Sequence, residues 1–269
     1  MRGLKKHSSL DYVFAVGKIR ALERFIIRQG VFEEAIEADL NEALRLFVEA
    51  DLYSDELLHV RDSQQLEEVL EKALAGLKNQ ISELLLDKTL IVLLDLDGRK
   101  CADYLLKNYR SRFLEDYVRH LLDMYNIKTF LRLYILKEPL EVLEENLICD
   151  GFIKRELFIK LYAQDLVAFL TRLEYVHKRN EVIDYAFFLR EGIEAAQERK
   201  SFVLLEKAMH DFLMEVLKPA KFIAFGPEPL LAYYFAKVNE INLVRMVVLA
   251  KLNNVSKELV KERLNFAYA

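Results

Sequence analysis

The sequence predicts an all-α protein, and three observations carry that reading. Its 269 residues include only eight glycines and four prolines, too few for the turns of a β-rich fold or for loops that cradle phosphate. The composition is 53% hydrophobic and 30% charged, which is that of a soluble chain able to bury a core. Along most of its length apolar residues recur every three or four positions, the period of a helix with one buried face.

The elements follow in order. Ser8 or Ser9 can cap a first helix carrying Tyr12, Ala15, Val16, Ile19, Leu22 and Ile26, and Gly30 is expected to end it in a left-handed conformation. Phe32, Ile36, Leu40, Ala43, Leu44, Phe47 and Val48 continue the period as a second helix. A third, from Leu66 to Leu85, follows a cap at Asp62 with Gln65 in the capping-box position. The apolar run Leu90 to Leu94 reads as a helix end, because no second strand-like run is there to satisfy its backbone. After a break at Asp97-Gly98, a long helix runs through Leu105, Leu106, Tyr109, Phe113, Tyr117, Leu121, Met124, Ile127, Phe130 and Tyr134 toward Pro139. Pro139 opens a short helix, Leu140 to Leu147, where its missing N–H costs nothing, and Asp150-Gly151 marks the next break. Further helices are expected at 152–162, 165–178, 181–196 and 201–217, the last stopped by Pro219. Gly226-Pro227-Glu228-Pro229 then leads into helices 230–252 and 256–266. Laying Tyr117 to Lys137 on Tyr233 to Asn253, an offset of 116, matches Tyr117 with Tyr233, Asn126 with Asn242 and Ile127 with Leu243, which suggests duplicated helical modules.

Chemistry is hard to find. The formal net charge is −4, and Lys5-Lys6, Lys154-Arg155, Lys178-Arg179 and Arg199-Lys200 are isolated basic pairs, so nucleic acid is not an expected partner. No two of His7, His59, His120, His177 and His210 stand three or four apart, and Asp95 and Asp97 lack the remaining ligands of a calcium loop, so no metal is expected. Neither a Gly-x-Gly-x-x-Gly, a Gly-Lys-Ser/Thr nor a Gly-x-Ser-x-Gly sequence is present, leaving no expected cofactor, nucleotide loop or nucleophile. Glu144-Glu145 reads as a solvated face, and Asn254-Val255-Ser256 reads as a helix cap at Ser256 in preference to a glycosylation acceptor. Cys101 and Cys149 form no Cys-x-x-Cys motif, and the N-terminus has no apolar signal region, so a reducing, cytoplasmic setting is expected. The longest apolar stretch, Phe222 to Ala236, is interrupted by Gly226, Pro227, Glu228 and Pro229 and is not read as a membrane span.

The informative polar residues are those in mid-helix. Asn126 and Asn242 sit where asparagine lowers helix propensity, which points either to an internal hydrogen bond orienting neighbouring helices or to contact with a partner chain.

The stretch FGPEPLLAYYFAKVNEINLVRMVVLAKLNNVSKELVKERLNFAYA, Phe225 to Ala269, resembles the C-terminal signature of the central-stalk C-subunit family of V-type and A-type rotary ATPases, relatives of the eukaryotic d-type stalk protein. Tyr12, Ala15, Lys18, Ile19, Arg20 and Glu23 resemble the family's opening helix, and Asp123, Asn126, Ile127 and Lys128 its central one. Residues 150–220 match it only in helical character. The resemblance implies a single domain of this family over 1–269: an all-α, funnel-like set of three similar modules in a pseudo-threefold arrangement, at about 1–97, 98–219 and 220–269. It further implies a non-catalytic adaptor with no cofactor, metal or small-molecule substrate. Such an adaptor would seat the lower end of the D/F shaft and stand on the cytoplasmic face of the membrane rotor ring, meeting the membrane only through that ring. Asn126, Lys128, Arg132, Glu240, Asn242 and Arg245 are the polar residues expected around the mouth. The rival reading, a free-standing helical scaffold that binds another protein, would predict a repeat every ~20 to 50 residues, and none is visible.

Overall fold

A computed structural model describes residues 7–50, 55–95, 111–148 and 151–265. Cys101, Cys149, the Asp97-Gly98 break, Asp150 and the Leu105-Leu106-Tyr109 part of the long periodic stretch lie outside the described residues. The chain divides into two compact units, Met1–Asp95 with Leu217–Ala269, and Leu96–Val216.

In the first unit, Ser8 caps a 3-10 turn, Ser9–Tyr12, in a reciprocal box with Asp11, and the chain continues into α1 (Val13–Leu22). Gly30 does not end this segment. The helix passes into a 3-10 turn, Glu23–Phe25, and stops at Ile26, whose backbone is extended; Gly30 lies in the first turn of α2 (Gln29–Glu37). The expected single helix from Phe32 to Val48 is also two. Asp39 accepts a hydrogen bond from Glu42 N at 2.9 Å and starts α3 (Leu40–Ala50), so an Asp cap breaks a run whose apolar period is continuous. In α4 (Ser63–Leu84) Asp62 caps as expected, accepting from Gln65 N at 2.9 Å, while the Gln65 side chain accepts from Arg61 N, one residue before the cap. Leu90 to Leu94 is helical, within a separate 3-10 segment, Lys88–Asp95.

The second unit is built around α5 (Arg112–Leu136), which ends at Lys137 in the left-handed region, followed by α6 (Leu140–Asn146), α7 (Arg155–Tyr162) and α8 (Leu166–Leu173). Here the expected helices at 165–178 and 181–196 need correction, because residues 174–184 are not helical. An antiparallel hairpin, β1 (Val176–Lys178) and β2 (Glu181–Ile183), pairs Val176 with Ile183 and Lys178 with Glu181. It turns at Arg179, which has φ 55°. Lys178 Nζ lies 3.0 Å from Asp116 Oδ2 and Arg179 Nη2 3.4 Å from Asp116 Oδ1, so the hairpin's cations face carboxylates in the first turns of α5. Asp184 then caps α9 (Tyr185–Arg199), and α10 (Val203–Leu217) completes the unit. Its core is aromatic: Phe130 stacks on Phe169 with centroids 4.1 Å apart and meets Tyr162 edge-on at 5.5 Å.

The chain then returns to the first unit. After a 3-10 turn, Lys218–Phe222, Gly226 adopts φ 109°, a conformation that disfavours other residues, and α11 (Glu228–Leu252) begins at Pro227. This helix is buried nearly all round and packs most extensively on α4, so the last third of the sequence supplies the central helix of the N-terminal unit. Ser256 caps α12 (Lys257–Arg263), accepting from Leu259 N as its Asn-x-Ser context suggested. Both ends of α5 and α11 stand 116 residues apart, the offset read from the sequence, and each helix is followed by a short one.

Candidate functional site

The polar residues of α5 sit inside the second unit because the chain leaving α6 folds back along that helix. Asn126, 1% exposed, accepts from Ile148 N at 3.1 Å through Oδ1. Asp123 accepts from Phe152 N and Ile153 N, each at 3.0 Å, and from the Tyr185 hydroxyl at 2.7 Å. Gly151 makes this approach possible, since a Cβ there would lie 2.2 Å from Asp123 Oδ1 and 2.6 Å from the Arg119 carbonyl oxygen. The Tyr185 oxygen also lies 2.8 Å from His120 Nδ1. With Asp123 ionised the phenol donates to it and Nδ1 carries the hydrogen of the second pair; with Asp123 protonated the carboxyl donates to the phenol and the phenol donates to Nδ1. Burial pushes Asp123 up to about 7 although its three donors and Arg119 pull it down. Burial, with Lys178 nearby, drives His120 down to about 3. The cluster is a fully enclosed hydrogen-bond network that fixes a loop.

On α11 in the first unit the pattern repeats with different chemistry. Glu240, 2% exposed, accepts from Ile27 N at 2.7 Å and pairs with Lys237 Nζ at 2.5 Å, and Asn239 accepts from the Asn265 side chain at 3.2 Å. Asn126 and Glu240 thus hold backbone of their own units. Asn242 departs from its matched residue Asn126, because it is exposed and accepts from Arg245 Nη1 at 2.6 Å.

Four of the six residues singled out from the sequence reach the surface. Lys128 pairs with Glu206 at 2.5 Å, and the Arg132 guanidinium stands 5.7 Å above the Phe202 ring. Arg245 Nε lies 3.0 Å from both Glu67 carboxylate oxygens, with Asn242 beside it. Asn126, Lys128 and Arg132 belong to α5 and the second unit, while Glu240, Asn242 and Arg245 belong to α11 and the first. Beside Lys128 is an open hollow of about 270 Å³ lined by Leu121, Met124, Tyr125, Met209 and Leu213. Sequence reasoning missed Tyr185, His120 and Gly151 as one cluster with Asp123. The available signal was Gly151 next to Asp150, which marked a break but not its partner.

Arg20, flagged in the opening helix, holds together distant parts of the sequence. Its Nη1 donates to both Glu23 oxygens at 2.7 and 2.8 Å, and its Nη2 donates to the Ala220 and Ile223 carbonyls at 2.7 and 2.9 Å. Tyr12 accepts from Asp87 N at 2.9 Å, and burial pushes its hydroxyl up to about 12.

Among the described residues no group of three His, Cys, Asp or Glu side chains could hold a metal ion, and no helix is long and apolar enough to cross a membrane. Residues 55–263 match the ATP synthase (C/AC39) subunit family. The chain belongs to that family. Within the C/AC39 family it is similar to the C subunit of the V-type sodium ATPase of Enterococcus hirae, with 24% identity over 230 residues. That match covers 83% of this chain and 66% of the relative, so the chain spans just under two thirds of the relative's length. The C/AC39 match includes α4, all of the second unit's described helices, α11 and α12, so it embraces the Asp123 cluster and the α11 members of the Glu240 cluster, while Ile27 and Asn265 lie outside it.

Proposed function

We propose that this C/AC39 protein is a non-catalytic adaptor of a V- or A-type rotary ATPase, joining the D/F central shaft to the membrane rotor ring on its cytoplasmic face. The family match over residues 55–263 carries the reading. A ring of identical proteins and a coiled-coil shaft have different symmetries, so neither can complement the other directly, and a coupling piece needs a different surface on each side. Torque must pass without slip, which calls for closely packed helices. The stacked aromatic core around Phe130 and the buried seam of α4 and α11 supply that packing.

The shaft contact in this reading is polar and modest in area, drawn from the surface members of the six polar residues: Lys128, Arg132, Asn242 and Arg245. Asn126 and Glu240 are buried and hold the backbone at Ile148 and Ile27. The funnel-like, pseudo-threefold arrangement with modules near 1–97, 98–219 and 220–269 belongs to the same proposal, and the paired 25-residue helices α5 and α11 support it. Mixing the purified chain with a D/F complex and following size-exclusion profiles tests the role. Co-elution at low salt that weakens at high salt is expected, because exposed charges are screened. Separate elution at low salt with both partners folded overturns it.

A further inference from the structure

α1 buries one apolar face in its own unit, and it and the turn that follows carry exposed aromatic side chains on the opposite one. Ala15, Val16 and Ile19 point into the core. Phe14, Lys18, Ala21 and, in the next turn, Phe25 follow one another at spacings of four, three and four, which places them on one outward face. Phe14 is 79% exposed. Exposed aromatic rings beside a cation make this an amphipathic surface that calls for a partner with both an apolar and an anionic part.

That face does not stand alone. The Arg20 hydrogen bonds to Ala220 and Ile223 hold the Lys218–Phe222 turn beside α1, and this neighbouring segment turns Phe222, at 89% exposure, and Phe225 to solvent. Exposed positive charges occur in the same stretches of chain as the aromatic rings. Lys18, Arg24 and Arg28 are exposed and make no ion pair among the described residues, and Lys221 is exposed next to Phe222. The nearby acids are engaged locally: Glu23 by Arg20, and Asp11 by the Ser8 backbone. A chain of net charge −4 therefore carries a basic, aromatic face.

We propose that this face binds the anionic surface of a lipid bilayer, with Phe14 and Phe222 entering the headgroup region and Lys18, Arg24 and Arg28 against lipid phosphates. Cores of protein–protein interfaces are depleted of charge, whereas here exposed cations accompany protruding rings, the composition of an interfacial membrane anchor. Direct lipid contact goes beyond attachment through a rotor ring. It uses residues of the first unit only and stands whether or not the shaft contact is found.

Flotation of the purified chain with phosphatidylcholine vesicles, with and without phosphatidylglycerol, tests it. The chain should float with phosphatidylglycerol vesicles at low salt, and should stay at the bottom of the gradient with phosphatidylcholine alone. Phe14→Ser with Phe222→Ser, and separately Lys18→Glu with Arg24→Glu, should each weaken binding by at least about tenfold. Circular dichroism should show helix content unchanged in both variants, since every altered side chain is exposed. Failure to float with anionic vesicles overturns the proposal, as does flotation that survives the Phe14→Ser, Phe222→Ser change. Light scattering covers a different occupant: a dimer lost in the serine variant, together with no flotation, would assign the face to a second copy of the chain and overturn lipid binding.

Discussion

At the scale of single residues, the His120–Tyr185–Asp123 network makes an unusual demand on pH dependence. Between about pH 4 and 6.5 the unfolded chain holds a proton on His120 and leaves Asp123 ionised, whereas the folded network keeps His120 neutral and Asp123 protonated. Both states bind one proton across the pair, so the pair adds little slope to stability in this window. Single substitutions should unmask opposite slopes. In His120→Gln the raised Asp123 remains, the folded state binds more protons than the unfolded, and stability relative to wild type should fall as pH rises from about 4 to about 7. In Asp123→Asn the lowered His120 remains, and relative stability should fall as pH drops from about 6.5 toward 3. Urea denaturation across that range checks both, and slopes of the same sign would refute the assignment. Gly151→Ala forces a methyl group against the Asp123 carboxylate and the Arg119 carbonyl, and should cost about 1–3 kcal/mol by overpacking. Gly76→Ala, at an open position of α4, should instead stabilise by about 1 kcal/mol. Thermal melts of the two variants should move in opposite directions.

At the scale of elements, the Lys237–Glu240 pair on α11 links that helix to Ile27, just before α2, and its removal should be asymmetric. Glu240→Ala leaves a buried ammonium and should cost about 3–5 kcal/mol in denaturant titrations. The double change Lys237→Met, Glu240→Leu should cost less than the single one, since no unpaired ammonium is then left buried, although Ile27 N loses its acceptor. Helices with chemical boundary marks were legible in the sequence: Asp62 and Ser256 cap where expected, and Leu217 ends α10 just before Pro219. Boundaries set by tertiary contacts were not. The hairpin at Val176–Ile183 has no Asn-Gly turn to announce it, and it is anchored by Lys178 and Arg179 to Asp116, some sixty residues away. The division of α2 from α3 was hidden because Ile36, Leu40 and Ala43 keep helical spacing across Ala38-Asp39. Among the candidate polar residues, sequence distinguished Asn126 from its surroundings, yet could not separate it from Asn242: one is buried against Ile148 and the other exposed beside Arg245. Burial is decided by what packs over a helix, and the helix's own residues do not record it.

At the scale of the whole molecule, the adaptor role asks for mechanical and not chemical competence. The purified chain should hydrolyse no ATP, and turnover that persists after rigorous removal of contaminating ATPases would count against the role. Lys128→Glu combined with Arg132→Glu should weaken co-elution with a D/F shaft more than either change alone, with thermal melts showing whether the fold is kept. The order of elements along the chain also shapes biosynthesis. Leu96–Val216 is contiguous and can collapse as soon as it leaves the ribosome, but Met1–Asp95 must wait for α11 to be translated before its apolar seam is covered. Until then the nascent N-terminal segment displays the greasy side of α4 to the cytosol, which makes it a natural client for chaperones. A message cut short before α11 would yield one finished half and one sticky half, a product suited to prompt degradation.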